Sequence, residues 1–149
     1  MTVGLIAAMN PAAVLAKARN SQRRTYLSET ANALERYKVI YGTYPVTATW
    51  CGATGSYWAG GCADPTNYIP GLTNSGELKS LPQDPRVVQA YSPCNDAAAT
   101  SIIYYSNGTD YKLLDHCGPE GTLSQTDPMA DPPRWSYSWA IYTAGASGW

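Results

Sequence analysis

The 149-residue chain contains no phenylalanine, a single histidine and few charges. Asp, Glu, Lys and Arg make up 14% of it, against roughly 25% in ordinary soluble domains. The net charge of −1 and an isoelectric point near 5.7 remove the electrostatic basis for nucleic-acid binding, which needs a marked basic excess. His116 is the lone imidazole and lies between Asp115 and Cys117, so a nucleophile and base have little to build on. Gly52 to Gly61 has neither the spacing of a phosphate-binding fingerprint nor a helix pattern after it, and no enzyme is expected. Also missing is a long uninterrupted apolar run. The stretch from Val3 to Leu15 or Ala16 stops at Lys17, short of the roughly 18 to 20 residues that span a bilayer. Positive charges follow this stretch instead of preceding it, the reverse of a secretory signal.

What the chain does have is 12 Tyr, 5 Trp, 13 Gly and 11 Pro, which suits a loop-rich head with half-exposed aromatic surfaces. At this length it forms one domain. Cys51, Cys62, Cys94 and Cys117 include no Cys-x-x-Cys pair, so zinc is disfavoured and disulfides are expected. Of the three possible pairings, Cys51 with Cys62 closes a short Gly-rich loop and Cys94 with Cys117 brackets a predicted hairpin. These two pairings are expected, and with them an oxidising compartment.

Leu27, Ala31, Leu34, Tyr37 and Tyr41 recur at helical spacing, and Gly42 followed by Pro45 supplies a stop. One helix from near Thr2 to Tyr41 or Gly42 is predicted. Pro11 would remove a hydrogen bond inside it, giving a kink or melted turn around residues 7 to 12; the alternative is that Pro11 opens the helix. Residues 43 to 99 carry mostly turn chemistry, with one short helix at Gly76 to Leu81. Thr100 to Ser106 and Asp110 to Asp115 read as strands joined at Asn107-Gly108, a type I′ hairpin signal, and a third strand follows at Ser136 to Thr143. The expected fold is α+β, a long N-terminal helix on a small antiparallel sheet whose apolar face covers Leu27, Ala31 and Leu34.

The two halves of the helix need different surroundings. Residues 25–149 form the expected head, and residues 1–24 an apolar and basic projection. Val3, Leu5, Ile6, Met9, Val14 and Leu15 offer no polar face to water, so copies of the chain are expected to cover them. The tetrad Lys17, Arg19, Arg23 and Arg24 is either a solvated face or a partner for acidic groups of a neighbouring subunit or for lipid head groups.

The order of parts resembles the type IV pilins and the pseudopilins of type II secretion. The matching stretches are Ile6 to Arg19 with its Pro11, Ser21 to Arg24, Ala31 to Tyr37, Tyr41-Gly-Thr-Tyr-Pro45, Tyr68-Ile-Pro-Gly-Leu72, Leu78-Lys-Ser-Leu-Pro-Gln-Asp-Pro85 and Tyr104 to Leu113. The resemblance implies a structural subunit of an extracellular bacterial filament, a surface pilus or a secretion pseudopilus, whose apolar helix packs among its counterparts. Its implied partners are itself, other pilins of the same machinery and, in full-length form, the inner membrane before assembly. The cleaved leader and the longer apolar stretch typical of the family are not found ahead of Val3, which reads as N-terminal truncation.

An adhesive role is the alternative. Trp58 in the first cysteine loop, and Trp135 and Trp149 near the end of the sequence, are candidate surface contacts, although alternation would put Trp135, Tyr137, Trp139 and Ile141 on one strand face as core. No cofactor is expected. Asp84, Asp96, Asp127 and Asp131 could supply oxygen ligands to calcium, which the resemblance favours, but turn capping accounts for each of them.

Overall fold

A computed structural model of the chain describes residues 10–53, 62, 64–86, 94 and 101–149. Helix α1 runs from Pro11 to Tyr41. Asn10 caps it, with its side-chain oxygen accepting from the Ala12 N–H at 3.1 Å, and Pro11 occupies the first turn, where its missing N–H has no intrahelical role. As described, the helix starts at Pro11, and the kink or melted turn expected around residues 7 to 12 falls partly outside the described residues. The predicted helical residues Thr2 to Met9 lie outside the described residues. At the other end Gly42 takes φ +77° and donates to the Lys38 carbonyl at 2.8 Å, the glycine stop read from the sequence.

Strands β1 (Cys51–Gly52), β2 (Ser101–Ser106), β3 (Tyr111–His116) and β4 (Ser138–Tyr142) form one antiparallel sheet in sequential order. The fold is α+β, as expected. β1 is too short to show periodicity and went unpredicted, whereas the last strand begins at Ser138, because Trp135 to Tyr137 form a turn after a 3₁₀ segment at Pro132–Arg134. The β2–β3 connection is not a two-residue type I′ turn. Ser106 pairs with Tyr111, leaving a four-residue loop in which Gly108 has φ +93° and the Asn107 side chain accepts from the N–H groups of Thr109 and Asp110 at 3.0 and 2.8 Å. Asn107 thus serves the turn through its amide and not through a left-handed backbone. The short helix expected at Gly76 to Leu81 is not formed: Gly76 ends a turn and the chain on to Leu81 is bent and irregular, a segment too short to repay helix nucleation.

Alternation along the strands sorts the core. Ile102, Tyr104, Tyr111, Leu113 and Trp139 face α1 and bury Leu27, Ala33 and Leu34 with it, and Ala31 is buried beside them. Ile103, Leu114 and Ala140 form a second cluster on the opposite face, against Trp50 and Tyr142. Every residue of β3 is buried. The sheet is covered on both sides, so each polar residue of β3 needs an internal partner.

Both predicted disulfides are formed, Cys51–Cys62 and Cys94–Cys117. The first ties β1 to the loop ahead of Asp64. The second fixes the chain where it leaves β3, beside Tyr137, with Cys117 in the left-handed region at φ +58°.

Candidate functional site: an exposed helix face and its charged anchor

Along α1 the surroundings change within two turns. From Pro11 to Leu15 every residue is exposed, with Val14 at 46% and Leu15 at 56%. Aliphatic side chains in that state stay in water unless something outside the head covers them. Of the other residues expected to form this apolar surface, Val3, Leu5, Ile6 and Met9 lie outside the described residues. Pro11 is exposed at the helix start.

The head takes hold of the helix at Arg19. This guanidinium meets Glu120 through two bonds, Nε to Oε1 at 2.7 Å and Nη2 to Oε2 at 2.6 Å, while the Asn20 amide donates to the Glu120 carbonyl and its oxygen accepts from the Glu120 N–H. One turn on, Arg23 is fully buried. It binds Asp84 bidentately, Nε to Oδ2 at 2.7 Å and Nη2 to Oδ1 at 2.9 Å, reaches Glu120 Oε1 through Nη1 at 2.8 Å, and has Asp115 Oδ2 at 3.5 Å. Arg86 closes the group on Glu120 Oε2 at 2.6 Å. Three guanidinium groups thus face three carboxylates drawn from α1, the Leu81–Arg86 loop, β3 and the segment after it. Arg24 forks onto Asp127 and lies 4.0 Å from the centre of the Trp139 ring, a cation–π contact. Neither reading of the tetrad from sequence covers this result: Arg19, Arg23 and Arg24 pair with acids of their own head, and Lys17 is the exposed member.

The electrostatics follow from burial and pairing. The hydrogen bond from Arg19, with help from Arg23 and Arg86, holds Glu120 down at about 2. Asp115 moves the other way. Burial first, then the neighbouring Asp84 carboxylate, push it well above the carboxylate range against the pull of Arg23. Neither Asp115 oxygen has a hydrogen-bond partner among the described residues, and Oδ1 lies against Gly118, where a Cβ would come within 2.2 Å of it. Burial likewise raises the Tyr68 hydroxyl, which donates to the Pro82 carbonyl at 2.7 Å and ties the Asp84 loop to the core.

A second buried cation secures the far side of the sheet. Lys112 Nζ sits 2.7 Å from Asp131 Oδ1 and donates to the main-chain oxygens of Ser147 and Trp149 at 3.0 Å each, while Arg134 takes the other Asp131 oxygen at 2.7 Å. Three of the aspartates read as calcium ligands are therefore committed to cations of the chain itself: Asp84 to Arg23, Asp127 to Arg24, and Asp131 to Lys112 and Arg134. Asp96 lies outside the described residues. His116 is buried at the end of β3, edge-on to Tyr137.

The candidate aromatic contacts do not share one surface role. Trp135 is 37% exposed, Trp149 packs edge-on against Tyr105 with ring centres 4.9 Å apart, and Trp58 lies outside the described residues. Trp139 and Ile141 join the core on the helix side of the sheet, whereas Trp135 and Tyr137 precede the strand.

Comparison with protein-family models, with curated proteins and with solved structures finds no match to the chain. Its two disulfides indicate an oxidising compartment. Among the described residues no helix is long and apolar enough to cross a membrane.

Proposed function

We propose that the chain is a structural, non-catalytic subunit of an extracellular pilin-like filament, assembled through its N-terminal helix. The observation that carries this reading is the abrupt change along α1, from exposed aliphatic residues at Val14 and Leu15 to the fully buried Arg23. A helix bolted to its head by charge and left apolar beyond that bolt presents its free end to identical helices. Each aliphatic side chain so covered contributes roughly 1.5 to 3 kcal/mol, and a contact between two different surfaces of the same chain repeats without closing. The two disulfides suit a head that lives outside the cytoplasm.

Negative-stain microscopy of the natural gene product tests the proposal. Filaments of uniform width are the expected result, and particles that stay single at every concentration would overturn it.

A further inference from the structure

Beside the anchor, α1 and the chain around Glu120 flank a cleft of about 340 Å³, at the small end of the roughly 300 to 1,000 Å³ usual for small-molecule sites. The helix contributes Lys17, Ser21 and Arg24, whose spacing keeps them on one side of it. Thr122 and Leu123 line the cleft from the segment after Glu120, and Trp139 lines it from β4.

Most of the polar lining is already engaged. Glu120 meets Arg19, Arg23 and Arg86, Asp127 meets Arg24, and both ends of the Asn20 amide are bonded to the Glu120 main chain. The Ser124 hydroxyl is hydrogen-bonded to that of Thr126 at 2.8 Å. Four polar groups of the lining have no hydrogen-bond or ion-pair partner among the described residues: the Lys17 ammonium, the hydroxyls of Ser21 and Thr122, and the Trp139 indole N–H. Of these, Trp139 is the most constrained. It is 3% exposed, the Arg24 guanidinium lies 4.0 Å from its ring centre, and its Nε1–H is buried with no acceptor. Folded chains rarely leave a buried donor so, because its lost hydration goes unreplaced.

The unengaged groups have one character. Lys17 and Trp139 only donate, the two hydroxyls are free to donate, and each carboxylate of the lining already has a guanidinium. The uncompensated charge is the single positive one on Lys17. Its complement is a singly charged group that only accepts, which describes a carboxylate. A phosphate monoester, at about −1.5 to −2 near pH 7, finds one cation to meet it, and a metal cation finds no free anion. We propose that this cleft binds a small monocarboxylate, up to the size of a sugar acid, with Lys17 supplying the charge and Ser21, Thr122 and the Trp139 Nε1–H the hydrogen bonds. The site goes beyond the filament reading and does not rest on it.

Heteronuclear NMR of the isotope-labelled, oxidised full chain tests this, by titration at constant ionic strength with sodium acetate, sodium glucuronate, sodium phosphate and glucose. The Trp139 indole resonance should move downfield and saturate with both carboxylates, together with the backbone amides of Lys17, Ser21 and Thr122. Glucose should leave all four in place, and phosphate should bind at least about tenfold more weakly than acetate. Tighter binding of glucuronate than of acetate assigns the site to a sugar acid, and the reverse order to a simple free acid. Lys17→Gln should weaken acetate binding at least about tenfold and Thr122→Val about threefold; both positions are exposed, so circular dichroism should match the wild type. A Trp139 indole that neither carboxylate moves, a Lys17→Gln variant that binds acetate like the wild type, or phosphate binding as tight as that of acetate overturns the assignment.

Discussion

Replacing Arg23 with alanine removes the cation that joins helix to head. The side chain is fully buried, and its loss strands Asp84 and Asp115, themselves 3% and 0% exposed. Glu120 keeps Arg19 and Arg86, so two of the three carboxylates carry the damage. Removing one partner of a buried ion pair costs about 3 to 5 kcal/mol, a large part of the roughly 5 to 15 kcal/mol that holds a domain folded. At about 2 to 4 °C per kcal/mol for a chain of this size, melting should fall by roughly 6 to 20 °C at pH 7. The deficit also has a predicted pH dependence. Asp115 is already pushed up in the folded state, and without Arg23 it rises further. A group whose folded pKa is raised gives stability that is complete below its unfolded value and is lost as pH climbs through the folded value. Arg23→Ala should therefore lie closest to the wild type at acid pH, where Asp115 is protonated in both, and fall away from it as pH rises. Adding Asp84→Asn should restore part of the loss at neutral pH. Calorimetry across a pH series is the assay, and a melting temperature within 2 °C of wild type at pH 7, or a deficit that does not grow with pH, refutes the reasoning.

The remaining predictions concern the same framework. Glu120, held near 2, gives stability that is present above the ordinary value of 4.5 and is lost as pH falls toward 2, so Glu120→Gln should cost roughly 2 to 3 kcal/mol at pH 7 and flatten the acid limb of urea unfolding. Gly118→Ala places a Cβ 2.2 Å from Asp115 Oδ1 and 2.4 Å from Asp84 Oδ2, and should cost about 1 to 3 kcal/mol by chemical denaturation. Lys112→Met leaves Arg134 on Asp131 but removes both bonds to Ser147 and Trp149; amide hydrogen exchange in residues 144–149 should speed up ahead of the sheet. Removing Cys94–Cys117 by double serine substitution should lower stability by roughly 3 kcal/mol in urea, a little more than removing Cys51–Cys62, because it closes the longer loop. Mass mapping without reduction should recover the two disulfide-linked peptide pairs.

Local rules wrote much of this fold into the sequence. Strict helical spacing from Leu27 to Leu34, glycine and proline after Tyr41, β-branched and aromatic runs on either side of Asn107-Gly108, and two cysteine pairs bracketing plausible loops each act within one element or one turn, where neighbouring residues set the outcome. The same locality sets the limits of such rules: Pro11 opens a helix or breaks it depending on what Asn10 does, and a two-residue strand such as β1 exists only because Tyr104 and Ile103 are there to pair with it. The chemistry of the junction was not legible at all. Arg19 and Glu120 are 101 residues apart, and Arg23 and Asp84 are 61 apart, so nothing in the tetrad's own surroundings distinguishes a buried arginine from a solvated one. Tertiary structure made that choice by covering both faces of the sheet, which removed water from Asp115 and Lys112 and left them only internal partners.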